Sequence, residues 1–284
     1  MKTKLIMVEG LPGFGKSTTA RMIHGILTER SIETRLVMEG DLDHPADYEG
    51  TACLTEEEFG RLLQAAGPFK EILSQRATQK DNLYLLPYQK LKNEFGDSFP
   101  EELYPSLSQH DIYELPLDLN RKLITQRWQA FAEETLQTPA VTIFECCFIQ
   151  NPVTVGMVKH DAPEDQVTDY VLGLEQAIQP LNPLLFYVDQ NDLEYAFRKA
   201  LRERPKDWAT GFSDYYTGQG YGKHHSLEGV EGTLKVLEAR RKLEYRILDR
   251  LALNKLRIDN SLYDQETYRT KLIDKLKLHG VNPE

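Results

Sequence analysis

Gly10-Leu11-Pro12-Gly13-Phe14-Gly15-Lys16-Ser17 fills every fixed position of the spacing Gly-x-x-x-x-Gly-Lys-Ser/Thr, and it stands between a short apolar run, Leu5 to Val8, and a stretch of helical periodicity from Ser17 to Arg30. That setting constrains the fold more than any other part of the chain. A run that is apolar at every position reads as a strand buried on both faces, as in a parallel sheet. Glycines let backbone close around a phosphate, where side chains would block both the contact and the positive φ angles. The helix that follows points its unpaired N–H groups and its positive dipole end at the same anion. Gly10, Pro12, Gly13, Phe14, Gly15, Lys16, Ser17 and Thr18 are therefore the expected phosphate-binding residues. Lys16 can reach the β- and γ-phosphates of a nucleoside triphosphate, and the Ser17 hydroxyl can coordinate Mg²⁺.

The remainder of the chain repeats the theme of buried strands ending in carboxylates. Leu36-Val37-Met38 leads to Glu39, Val141 to Phe144 leads to Glu145, Leu184 to Val188 leads to Asp189, and Lys255 to Asp259 is a weaker fifth strand. Helical patterns lie between them. The expected fold is α/β: a doubly wound parallel five-stranded sheet flanked by helices, with a large mainly helical insertion after strand 2. One domain, 1–284, is expected to contain that insertion at about 55–138 and a lid region at about 192–229. Within the lid region Gly211 to Gly222 reads as loop because glycine and tyrosine dominate it. The tyrosines of the insertion, with Trp128, are candidates to stack an aromatic ligand.

A carboxylate must complete a phosphate site, because magnesium takes further oxygen ligands and an acceptor hydroxyl needs a base. Glu145 at the end of the third strand is the first candidate, with a solvated strand-end glutamate as the alternative. Glu39, Asp41 and Asp43 follow the second strand, and Asp41 competes for the base. Arg198, Arg202 and Arg204 follow the fourth strand. The step from 198 to 202 puts two guanidinium groups on one helix face, where they could clamp a transferring phosphoryl group or simply pair with Glu194 and Glu203. His224-His225 reads as a polar loop, since adjacent histidines without a nearby Cys or acidic pattern make no zinc motif. Gly218-x-Gly220-x-Gly222 follows no apolar strand, so it is no dinucleotide fingerprint.

With these residues in place, the chain resembles the P-loop nucleoside and nucleotide kinases, most closely the deoxyribonucleoside kinase and thymidylate kinase branch. The resemblance lies in the loop at 10–17, in Glu145, and in Arg198-x-x-x-Arg202-x-Arg204. It implies ATP and Mg²⁺ as ligands, Ser17 and Glu145 at the metal, and Glu145 as the base. It also implies that Lys16, Arg198 and Arg202 neutralise the transferred charge. The Arg-Ser pair that usually follows the family's glutamate is replaced by Cys146-Cys147. The expected activity is phosphoryl transfer to a hydroxyl or phosphate of a small molecule, nucleoside-like or another metabolite or antibiotic. The alternative is a regulatory switch ATPase acting on a protein partner. A net charge of −10 disfavours general nucleic-acid binding, and no apolar run reaches the ~18 residues that span a bilayer. Three cysteines, two of them adjacent, suit a cytoplasmic location. A homodimer is compatible with all of this.

Overall fold

A computed structural model describes residues 3–281. Its chain divides into two compact units, one of residues 1–39 and 128–284 and one of residues 40–127. The first unit opens with strand β1 (Leu5–Glu9), helix α1 (Lys16–Thr28) and strand β2 (Thr34–Val37). The second unit follows with β3 (Ala52–Thr55), α2 (Glu56–Ala65), α3 (Lys70–Arg76), β4 (Thr78–Lys80) and β5 (Leu83–Leu86). It continues with α4 (Tyr88–Phe95), α5 (Tyr104–Gln109) and the first part of α6 (Leu117–Leu136), within which the division falls. The first unit then resumes with β6 (Val141–Glu145), α7 (Gln150–Val153), a π-helical turn over Thr154–Lys159, α8 (Glu164–Ile178) and β7 (Leu184–Asp189). Helices α9 (Leu193–Glu203), α10 (Lys206–Thr217), α11 (Gly220–His224) and α12 (Gly229–Arg250) precede β8 (Asn254–Asp259) and α13 (Gln265–Leu278).

The main sheet has the order β2-β6-β1-β7-β8, parallel throughout. β1 is central, with Met7 opposite both Phe144 and Leu185, and every residue of β1 and β6 is buried. The chain leaves β1 toward β6 and β2 first and returns to β7 and β8 later, so the order reverses at β1. In such a sheet the crevice at the carboxyl end of the reversing strand is the usual ligand position, and the glycine-rich loop of residues 10–17 follows that strand. The fold is thus the doubly wound α/β architecture expected, with the inserted, mainly helical unit after β2. Trp128 is wholly buried against Phe131, Phe144 and Phe148, with ring centroids 5.7–6.3 Å from its own. It is a core residue, and its expected role as a stacking platform is withdrawn.

The second unit has its own core, formed around Leu54, Phe59, Leu73, Leu86, Phe99 and Leu107. It also holds a three-stranded antiparallel sheet, β3-β5-β4, that periodicity did not indicate. Helix α2 starts with a capping box in which Thr55 and Glu58 satisfy each other's backbone N–H groups. Two of its tyrosines are tied to carboxylates: Tyr88 Oη donates to Asp111 at 3.0 Å, and Tyr113 Oη to Asp47 at 2.5 Å.

One further expectation is corrected. Residues 211–217 and 220–222 are helix and not loop, belonging to α10 and α11, with only Gly218 and Gln219 between them. Trp208, Phe212 and Tyr216 recur every four residues, and their rings stack on one another at 4.9 and 4.2 Å. Phe212 also meets Phe197 of α9 at 5.6 Å. That i, i+4 ladder outweighs the weak helix propensity of the glycines beside it.

Candidate active site

Helix α1 begins at Gly15, whose φ is 99°, with no side-chain cap and no acidic residue in its first turn. Most helices cap these first N–H groups with a side chain; here no side chain does so, and such a terminus is suited to an anion. The loop before them is gripped from outside. A Cβ on Gly13 (φ 84°) would lie 2.6 Å from the Ala196 carbonyl of α9, and one on Gly10 would lie 2.4 Å from the Val188 carbonyl of β7. Asn260, just past β8, donates from Nδ2 to the Phe14 carbonyl at 2.9 Å. Each neighbour comes from a strand or helix on the far side of the switch point, so the loop holds its shape only once β7, α9 and β8 are in place.

Lys16 folds back so that Nζ donates to the Leu11 carbonyl at 3.3 Å, and only 7% of the residue is exposed. Burial works to lower its pKa, but the acidic groups around it, Cys146, Glu39 and Glu145, outweigh that and raise it. The ammonium therefore stays charged. Ser17 Oγ donates to Glu145 Oε1 in a short contact, and Glu145 Oε2 accepts from the Glu39 N–H at 3.4 Å. Lys16, Ser17, Thr18, Glu39 and Glu145 all border one cleft of about 360 Å³. Two hard oxygen donors in contact, beside a lysine that would balance phosphate charge, fit Mg²⁺.

The turn after Glu145 is strained: Cys146 and Cys147 are consecutive left-handed residues at φ 66° and 74°. Glu9, the last residue of β1, holds the next turn. Its two carboxylate oxygens accept the N–H groups of Phe148, Ile149 and Gln150 at 2.8–3.1 Å. Burial pushes Glu9 up to about 7 despite those three donors. Sequence reading used Glu9 only as the end of a strand; its fully buried carboxylate, bound to three N–H groups of the turn that follows Glu145, marks it as the support for that turn.

The remaining candidates divide. Of the acidic cluster after β2, Glu39 borders the cleft, whereas Asp41 belongs to the second unit, where its Oδ1 closes a turn by accepting the Asp43 N–H at 2.9 Å. Asp43 pairs with Lys90 in the same unit. Arg198 does not reach the cleft: it is held by Glu194 at 2.8 Å and Glu231 at 2.5 Å. Arg202 is exposed and also absent from the cleft wall. The cations of α9 that do line it are Lys199 and, just past the helix, Arg204. The reason is helix phase. Ala196 and Ala200 pack on the loop at Gly13, so positions next to that stripe, 199 and 203, face the cleft while 198 turns toward α12.

Lys199 Nζ lies 4.6 Å from the Tyr263 ring centroid, and the Tyr263 hydroxyl is buried without a hydrogen-bond partner. Asn260 and Tyr263 were missed by sequence reading. The signal that could have found them is position alone, since they follow the carboxyl end of a strand next to β7.

No family model matches this chain, and no curated protein matches it. Among solved structures, a thymidylate kinase from Candida albicans aligns over 98% of this chain and 93% of that one, with 13% identity and a TM-score of 0.44.

Proposed function

We propose that this protein is an ATP-dependent phosphotransferase that moves a γ-phosphoryl group to a hydroxyl or phosphate of a small molecule, nucleoside-like or similarly hydroxylated. The observation that carries the reading is the contact between Ser17 and Glu145. It sets the carboxylate that ends β6 against the hydroxyl following the loop lysine, in the cleft onto which uncapped α1 opens. Ser17 and Glu145 would hold Mg²⁺, which would supply neutralisation of the charge developing on the phosphates.

The other steps belong to the chain's own side chains. The loop N–H groups and Lys16 bind the triphosphate and keep its terminal oxygens in line for attack. Lys199 and Arg204 add positive charge at the opposite wall. Tyr263, with an unused hydroxyl donor, offers a face and an edge to a nucleobase. Glu145 or Asp41 takes the proton from the acceptor hydroxyl, and Glu9 keeps the turn behind Glu145 fixed while it does so.

A unit with its own core stands in the chain between β2 and β6, where a simple crossover would need only a helix, and this supports a substrate-handling role over the alternative of a switch ATPase. Buried thiols at Cys53, Cys146 and Cys147 suit a reducing, cytoplasmic setting, and no helix of the described residues is long and apolar enough to cross a membrane. The test is Mg²⁺-dependent phosphate transfer, followed by mass, against nucleosides, nucleotides and hydroxylated antibiotics, with Lys16→Ala as control. A phosphorylated acceptor, lost at least ~10²-fold in the control, is the expected result. Hydrolysis that no acceptor stimulates, with no product formed, supports the switch ATPase instead.

A further inference from the structure

The histidine pair that made no motif in the sequence acquires a carboxylate in the fold. Asp161, just beyond the π-helical turn, lies beside His224 and His225 at the end of α11, and one ligand atom from each residue falls within 4.8 Å of the other two. His224 Nδ1 and Asp161 Oδ2 are 2.6 Å apart. Adjacent side chains on a continuing helix diverge by about 100°. Here His225 is past the last helical turn, at φ −92° and ψ 7°, and its ring lies 29° from parallel with that of His224 at a centroid distance of 5.0 Å.

The backbones that present these groups are fixed independently of them. A Cβ on Gly220 would lie 2.5 Å from the Lys159 carbonyl and 2.8 Å from the Asp161 N–H nitrogen, so α11 docks on this segment through a glycine that no other residue can replace. Asp161 is left-handed at φ 49°, with its N–H bonded to the Met157 carbonyl at 3.1 Å. The His225 N–H returns to the Tyr221 carbonyl at 3.0 Å, and the Tyr221 ring backs the His225 ring at 4.2 Å. Within Gly218-x-Gly220-x-Gly222, Gly220 permits the close packing on Lys159 and Asp161 that brings the histidines there, and Gly222 permits the approach of α11 to Tyr216 and Thr217 of α10.

We infer that Asp161, His224 and His225 form a binding site for a zinc-class divalent ion, separate from the phosphate-binding cleft and independent of the phosphotransferase reading. Two imidazoles and one carboxylate are a nitrogen- and oxygen-donor set that selects zinc and its late first-row neighbours over magnesium or calcium. Ligands at ~2.1 Å in a tetrahedral site lie about 3.4 Å apart, so the hydrogen-bonded His224–Asp161 pair opens by a little under an ångström and the wider separations close by about an ångström, shifts that exposed imidazoles can make by rotation. Exposure leaves the fourth position to water. The bound ion ties α11 to the connection between β6 and α8.

The test is calorimetric titration of Zn²⁺ into chelator-stripped full-length protein, with Co²⁺ absorption reporting the donor atoms. One ion per chain is expected, with affinity reduced at least 10-fold by His224→Ala, by His225→Ala and by Asp161→Asn, the last chosen because asparagine tolerates the left-handed backbone. The Co²⁺ complex should lack a thiolate charge-transfer band, and Mg²⁺-dependent ATP turnover should be unchanged in His225→Ala. Binding undiminished by His225→Ala overturns the site, as does a thiolate band, which would put the ion at Cys146. Absence of Zn²⁺ binding to the unsubstituted protein overturns it equally, leaving Asp161 and His224 as a surface pair.

Discussion

Burial acts to lower the pKa of Lys16, and the acidic side chains that enclose it outweigh that and raise it. The same enclosure makes Glu145 the residue whose chemistry is easiest to isolate. Glu145→Gln keeps the Ser17 contact in outline but removes the negative charge. It should lower kcat by about 10²–10⁴-fold while nucleotide affinity, measured by fluorescent-analogue displacement, falls far less. If Asp41→Asn has that effect and Glu145→Gln does not, the base is Asp41. At this scale the loop and Glu145 were legible because both are fixed by position, the first by motif spacing and the second by the end of an apolar strand. The α9 cations were not. Choosing Lys199 over Arg198 requires knowing which stripe of α9 packs on Gly13, and the sequence of one helix contains its period but not its phase against a neighbour.

Short elements were legible only when their periodicity was clean. The β3-β5-β4 sheet escaped because its strands are three or four residues long, and Thr78-Gln79-Lys80 has no buried position to set an alternation. Helix α10 escaped for another reason: its glycines and tyrosines suggested loop, although Trp208, Phe212 and Tyr216 form one aromatic edge. Phe212→Ala removes ring contacts to all three of its partners and should cost about 2 kcal/mol in urea denaturation, part of a full core penalty because the site is half-buried. The loop after β8 makes a separate prediction. Asn260→Ala frees the Phe14 carbonyl and should weaken nucleotide binding about 10-fold, with little change in the urea midpoint. An equal loss of stability and affinity would instead make Asn260 a general structural residue.

Over the whole molecule, the doubly wound parallel sheet was legible because its strands are apolar runs separated by helical patterns, whereas the order of those strands and the separate core of residues 40–127 were not, since that core is assembled from short elements whose apolar residues lie far apart in sequence. One prediction belongs to this scale. Folded Glu9 has its pKa near 7, against 4.5 for an ordinary glutamate. Between those values the folded chain keeps a proton that the unfolded chain has released, so this group makes stability fall as pH rises from about 4.5 to 7. Asp111, raised to about 6 by burial, acts in the same direction. Urea midpoints measured from pH 5 to pH 8 should decline for the unsubstituted protein and decline less for Glu9→Gln; parallel curves would reject the assignment. The central place of β1 has a consequence for how the molecule comes into being. β1 is synthesised before its two neighbours in the sheet, residues 141–145 and 184–189, and two of the contacts that grip its loop come later still, with α9 and Asn260. For most of its synthesis the chain therefore carries an apolar strand with both edges open, and the loop that follows it gains its outer contacts only after β8 is made.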